Sequence, residues 1–257
     1  MRDLFNVKGK TVLISGGSSG IGAMMAQGFL EYGAKVFVIA RKREALVAKA
    51  EELSAYGDCV AIPADLSDSN GIEHVVDKIS VSTSKLDVLI NNAGANWVEP
   101  LESFQEIGWD KVMNINVKSI FFTIQKMLPL LNDGTSEDPA RVINIASVNG
   151  LRNSGLPTYA YSASKSAVIQ LTRHLSTELA PKSITVNAIA PGLFASKMTQ
   201  QVVEDSEQVR AAINRIPLGR LGSSTDIAGI SLFLASRASA WMTGQTVVLD
   251  GGMTAAP

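Results

Sequence analysis

Short apolar runs alternate along the chain with longer stretches in which apolar residues recur every three or four positions. The runs are TVLIS (11–15), KVFVIA (35–40), CVAIPA (59–64), LDVLIN (86–91), RVINIA (141–146), ITVNAIA (184–190) and TVVLD (246–250). Most are unbroken Val, Ile, Leu and Ala, the pattern of strands covered on both faces. Helices are expected between them at about 20–32, 42–56, 69–83, 104–131, 158–180 and 224–236. Such alternation predicts repeated βα units on a parallel sheet. The fold class expected is α/β, a doubly wound parallel sheet of about seven strands with helices on both faces. Neither a linker nor a repeat interrupts the pattern, so residues 1–257 read as a single domain. The most loop-like stretch is NDGTSEDPA (132–140), and a second irregular region, 193–221, stands where such folds carry a substrate lid.

Composition narrows the function more than the fold. Hydrophobic residues make up 46% and charged residues 18%, enough apolar material for one sizeable core. A formal net charge of −1 gives no general attraction to nucleic acid or to an anionic membrane. The opening MRDLFNVKGK lacks the apolar segment of a signal peptide, and no apolar run approaches the roughly 20 residues that span a bilayer. The cytoplasm is the expected compartment. A single cysteine, Cys59, excludes an internal disulfide, and its place at a strand start predicts a buried thiol rather than a nucleophile. His74 and His174 fall in separate helical patterns facing solvent, so no metal site is expected.

Two stretches carry candidate chemistry. The first strand runs straight into GGSSGIG and then a helix. Glycines at 16, 20 and 22 permit a tight turn and close backbone approach to a pyrophosphate on the helix N-terminus. The spacing is G-x-x-x-G-x-G rather than G-x-G-x-x-G, but its context, after the first strand and opening an amphipathic helix, marks a dinucleotide site. At the end of the second strand, where an acid would hold an NAD ribose hydroxyl, the sequence reads VFVIARKRE. Arg41 stands there instead, and its planar fork suits a 2′-phosphate, so NADP(H) is the expected cofactor. Lys42 and Arg43 also fit the solvated first turn of a helix. The second stretch is YAYSASK, 159–165. Residues four apart stack on one helical face, which puts Tyr161 over Lys165 and Tyr159 over Ala163. An ammonium beside a phenol favours the phenolate, so Lys165 is expected to lower the Tyr161 pKa towards neutrality.

SGGSSGIG (15–22), NNAG (91–94), NINV (114–117), IASVNG (145–150), YSASK (161–165) and APG (190–192) occur in an order and at gaps that span the chain. This ordered set resembles that of the short-chain dehydrogenases/reductases, and within them the NADPH-dependent β-ketoacyl (3-oxoacyl) reductases. The resemblance implies a Rossmann-like fold, a homotetramer, and a hydride transfer to the 3-oxo group of an acyl thioester on acyl carrier protein or coenzyme A. Reduction of another carbonyl, such as a sugar acid, polyol or small ketone, stays open beside it. A nucleotide-sensing protein without turnover would keep the fold but has no need of an intact catalytic set.

Position by position, the resemblance implies Tyr161 as acid/base and Lys165 as the residue that tunes it and holds the nicotinamide ribose. Ser147 corresponds to the serine that hydrogen-bonds the substrate oxygen. Asn116 corresponds to the asparagine that bends its helix and supports a water chain to the lysine. Implied cofactor contacts are Gly16, Ser18, Ser19, Gly20, Ile21 and Gly22 in the first turn, Arg41, and Asp65 with Leu66 beside the adenine. Asn91 and Ala93 in NNAG, then Pro191, Gly192 and the Phe194 amide, complete that set. Asn149, Asn96 and Trp97 are expected to face the substrate, with a place in the core or an interface equally open for Trp97. Carrier docking in this family uses basic residues near the site mouth. Lys182 fits that role, but Glu137 and Asp138 do not, which leaves a coenzyme A ester or free ketone open.

Overall fold

The structure, a computed structural model, describes residues 3–131, 134–153, 155–194, 210, 211 and 213–255. The seven expected strands form: β1 (Thr11–Ser15), β2 (Lys35–Ala40), β3 (Cys59–Pro63), β4 (Val88–Asn91), β5 (Ala140–Ile145), β6 (Ile184–Pro191) and β7 (Thr246–Leu249). They make one sheet, in the order β3-β2-β1-β4-β5-β6-β7, with every pairing parallel. Strand order reverses between β1 and β4. The crevice that opens there at the C-terminal strand ends is where such sheets bind ligands.

Alternation along the strands divides the core in two. Leu13, Phe37, Leu89 and Val142 point to the face covered by α3 (Ser69–Ser82), α5 (Ser119–Met127) and α6 (Tyr159–Leu179). Val12, Ile14, Val38, Ile90 and Ile143 point to the other, covered by α1 (Gly20–Glu31), α2 (Arg43–Leu53) and α7 (Ser224–Ala235). Covering on both faces is what the unbroken apolar runs require.

The helix expected over 104–131 is not continuous. It starts as α4 (Glu106–Met113), passes through a π-helical turn at Asn114–Lys118, and resumes as α5. A π turn inserts one residue and bends the axis, here around the buried Asn116. In the loop before β5, Asp138 pairs with Lys10 at 2.9 Å and with the buried Arg141, whose guanidinium also donates to Ser236 O at 2.9 Å. Burial depresses the Arg141 pKa, and Asp138 and Asp87 oppose that. The acidic character of Asp138 is thus spent inside the fold. Residues 195–209 and 212, most of the expected lid, lie outside the described residues.

Candidate active site

A cavity of about 960 Å³ opens at the C-terminal ends of the strands, within the range of small-molecule sites. One end is built by the β1–α1 turn. Gly16 has a left-handed φ of 71°, and a Cβ there would stand 2.7 Å from the Asn92 amide nitrogen. That amide donates to Ser15 O at 2.9 Å and Gly16 O at 3.3 Å, fastening the turn to the segment after β4. A Cβ at Gly22 would overlap Gly16 O, so glycine there lets α1 start directly against the turn. Ser19 is the N-cap of α1 and makes no side-chain cap bond, which leaves first-turn amides directed at the cavity. Gly16, Ser18, Ser19, Gly20 and Ile21 line it; Gly22 does not, and its part is packing.

Beyond the turn, Ala40, Arg41 and Lys42 line the wall. Exposed Arg41 has Nη1 3.8 Å from Asp65 Oδ2. Burial pushes the Asp65 carboxyl up, but hydrogen bonds from Ser67 and the charge of Arg41 outweigh it and hold the pKa below its ordinary value. Asp65 is itself off the cavity wall, where Leu66 and Ser67 stand. Asn91, expected beside the cofactor, turns its buried side chain to Asn144 Oδ1 at 2.8 Å, and it is Asn92 that reaches the cavity with Ala93.

The other end gathers the reactive groups. Ser147 caps a short 3₁₀ turn, Val148–Gly150, by accepting from Asn149 N at 3.1 Å, and it shares the cavity wall with Tyr161, whose phenol its hydroxyl favours in the charged form. Lys165, buried one turn along α6, donates to Ile145 O at 2.7 Å and has Nζ 5.6 Å from the Tyr161 ring centroid. Tyr159 points elsewhere, edge-on to Phe104 at 5.7 Å, and is not on the cavity wall. Of the two tyrosines, only Tyr161 stands with Ser147 and Lys165.

The direction of the Tyr161 shift corrects the expectation drawn from Lys165. Burial pushes the phenol above its ordinary value, and only the bond from Ser147 pulls it back. The same burial lowers Lys165 to about 8. Desolvation disfavours both charged forms, so the site holds a neutral phenol that keeps its proton at neutral pH. A donor in that state serves an oxygen gaining negative charge.

Asn116 is fully buried and lies behind this group. Its Oδ1 accepts from Ala95 N at 2.8 Å, and its Nδ2 donates to Ala95 O at 3.0 Å and Ser164 Oγ at 2.9 Å. Ser164 Oγ in turn donates to Tyr161 O at 2.7 Å. A Cβ at Gly94 would stand 3.2 Å from Asn116 Oδ1 and 3.8 Å from Lys165 Nζ; glycine therefore leaves these two polar atoms facing one spot.

Asn149, Asn96, Pro191, Gly192 and Phe194 line the cavity as expected. Trp97 does not. Its indole donates to Glu99 Oε2 at 2.8 Å, packs onto the bare face of Gly108, and carries Lys111 Nζ 5.2 Å from its ring. Cys59 is a half-buried thiol pushed up to about 11 by burial and by Asp58, the protonated, unreactive form. Lys111, Arg152, Arg215 and Met253 also line the cavity, from scattered positions with no motif to announce them. Among the described residues no cluster of three or more His, Cys, Asp or Glu is placed to hold a metal ion, and no helix is long and apolar enough to cross a membrane.

The family model described as enoyl-(acyl carrier protein) reductase matches residues 16–254. The chain is 47% identical over 253 residues to the rhamnolipids biosynthesis 3-oxoacyl-(acyl-carrier-protein) reductase of Pseudomonas aeruginosa, covering 98% of this chain and 99% of that one. It superposes on the Pseudomonas aeruginosa RhlG/NADP active-site complex with a TM-score of 0.95, at 47% identity and with 98% and 99% of the two chains covered. It is 39% identical over 255 residues to the 2-dehydro-3-deoxy-D-gluconate 5-dehydrogenase of Dickeya dadantii, with 98% of each covered. With the family model matching residues 16–254 and these likenesses spanning nearly the whole chain, the chain belongs to the short-chain dehydrogenase/reductase family of oxidoreductases.

Proposed function

We propose that this chain is an NADPH-dependent reductase of 3-oxoacyl thioesters. The observation that carries the proposal is the meeting, in one cavity, of Tyr161 and Ser147 beside buried Lys165 with a cation-lined adenosine end. The residues fit the cofactor: free amides at the α1 N-terminus suit a diphosphate, and Arg41 and Lys42 suit a 2′-phosphate. NADPH, when bound, supplies the hydride; the protein positions and polarises.

As a carbonyl is reduced, negative charge grows on its oxygen. Ser147 and Tyr161 each donate a hydrogen bond where that charge develops, and Tyr161 delivers its proton to the oxygen. Lys165, one helical turn away, restores the phenol, with Asn116 and the opening at Gly94 on the route behind it. Asn149 and Asn96 border the substrate. Support for an acyl thioester is the likeness to the Pseudomonas reductase over nearly the whole chain. A second reading, oxidoreduction of a sugar acid, is favoured by the likeness to the Dickeya enzyme. NADPH oxidation by the purified protein over 3-oxoacyl esters of coenzyme A and acyl carrier protein, oxo sugar acids and diketones tests the proposal. Turnover should be highest with the thioesters; oxo sugar acids far ahead of them would transfer the assignment to the second reading.

The assembly we propose is a homotetramer in the cytoplasm. Ile107, Trp109, Phe121 and Phe122 leave large apolar surface exposed along α4 and α5, and Trp241 and Val248 do so beside the edge strand β7. Two such surfaces, each paired about its own two-fold axis, make a tetramer of D2 symmetry.

A further inference from the structure

Six cationic side chains line the cavity, Arg41, Lys42, Lys111, Arg152, Lys165 and Arg215, and among the described residues no carboxylate does. The chain as a whole is balanced, with 23 basic and 24 acidic residues. A concave wall of one sign focuses its field on whatever enters. Arg41 and Lys42 serve the 2′-phosphate and Lys165 the phenol, and Lys111 rests on Trp97. Arg152 and Arg215 do not.

Arg152 follows Ser147 by one turn of chain, its amide donating to Val148 O at 3.0 Å. Its side chain is exposed at the cavity and tethered at one point, where Nη1 donates to Met253 O in the C-terminal turn. The carboxylate nearby, Asp250, feels the Arg152 charge, which helps to hold its pKa down, but its oxygens are taken by that turn: they accept from Gly252 N at 2.9 Å and Thr254 N at 2.6 Å. Among the described residues no carboxylate is within ion-pair distance of Arg152. A guanidinium held by one bond among the described residues, with no carboxylate of theirs in ion-pair range, is a receptor for an anionic oxygen.

We propose that Arg152 determines specificity by receiving an anionic group on the non-reacting part of the substrate, with Arg215 as a second cation of the same rim. The chemistry is that of a carboxylate or phosphate ester oxygen, borne either by an oxo acid or by the pantetheine arm of a carrier. The proposal rests on the reading of the cavity as a carbonyl-reducing site.

Three substrates with the same type of carbonyl separate the possibilities: a 3-oxoacyl-coenzyme A, the same acyl group on neutral N-acetylcysteamine, and a free oxo sugar acid. Steady-state constants are measured for the native protein, Arg152→Ala and Arg152→Lys. In Arg152→Ala the ratio of kcat/KM for an anionic substrate to that for the neutral thioester should fall about tenfold or more, the loss of a charge-assisted contact, and chiefly through KM. Arg152→Lys should recover part of it, and the salt dependence of the anionic substrate should weaken in Arg152→Ala. A drop confined to the coenzyme A ester assigns the phosphate; one confined to the oxo acid assigns the carboxylate. Equal losses on all three substrates, as a mere tether for the C-terminal turn would give, or no loss at all, overturn the proposal. Turnover of none of them by the native protein removes the carbonyl-reducing reading and this one with it.

Discussion

Replacing Asn116 with alanine should damage both the fold and the chemistry, in proportions the hydrogen bonds allow to be worked out. Three bonds disappear: one from Ala95 N, one to Ala95 O and one to Ser164 Oγ. At about 1 kcal/mol net apiece the loss is about 3 kcal/mol. Ala95 is only half-buried, so water replaces part of its share, and the expected cost is about 2–3 kcal/mol. For a chain of this size that lowers Tm by roughly 4–12 °C. Ser164 keeps its bond to Tyr161 O but loses the donor that orients it, so the first turn of α6 loosens exactly where the acid sits on it. Small misplacement of a catalytic group costs up to about 10²-fold; kcat should fall by roughly 10–100-fold with KM little altered. Calorimetry and steady-state NADPH oxidation read the two effects. An Asn116→Ala protein within about 2 °C of the native Tm, with native kcat, would show that the π turn holds its shape without this side chain and that the linkage to Tyr161 is idle.

Three further outcomes are expected. Ala40→Asp with Arg41→Ala should weaken NADPH and improve NADH, because a carboxylate then faces the 2′-phosphate position; equal kcat/KM for the two cofactors in the native protein would remove the basis for this. Lys165, with its pKa lowered by burial to about 8 against an ordinary 10.5, binds fewer protons folded than unfolded between those values. Its contribution to stability therefore rises with pH through that window and is lost as pH falls through about 8. Relative to Lys165→Met, the native protein should gain Tm from pH 7 to pH 10, and a pH-independent difference would contradict the burial argument. Light scattering coupled to gel filtration should give the mass of four chains; one chain at micromolar concentration rejects both apolar surfaces as interfaces, and two leave only one standing.

Much of this architecture can be read from the chain because strands covered on both faces are written as unbroken apolar runs. Each strand falls within two residues of its run. The break at Asn114–Lys118 escapes the periodicity since NINVKSIFF continues a helical pattern; the bond that Asn116 makes there is to Ala95, 21 positions away, which no local pattern announces. The same limit governs the site. Spacing of four identifies the Tyr161–Lys165 pair, but the direction of the Tyr161 shift depends on burial that the whole fold imposes. Neighbouring asparagines 91 and 92 point to opposite sides, one into the sheet and one into the cavity, and no local signal tells them apart. Trp97 is turned aside by the missing side chain of Gly108, eleven residues on. Arg152 stands out only through its bond to the C-terminal turn, 101 positions away.

The central claim is that Tyr161 protonates the carbonyl oxygen, and one comparison tests it: NADPH oxidation and NADPH binding in Tyr161→Phe beside Tyr159→Phe. The change at 161 removes one buried hydroxyl and little contact area, so binding should stay near native while reduction falls by roughly 10²–10⁴-fold, the span of a lost general acid. Tyr159, exposed and leaning on Phe104, should keep most activity as phenylalanine. Equal activities in the two variants, or a larger loss at 159, would contradict the account.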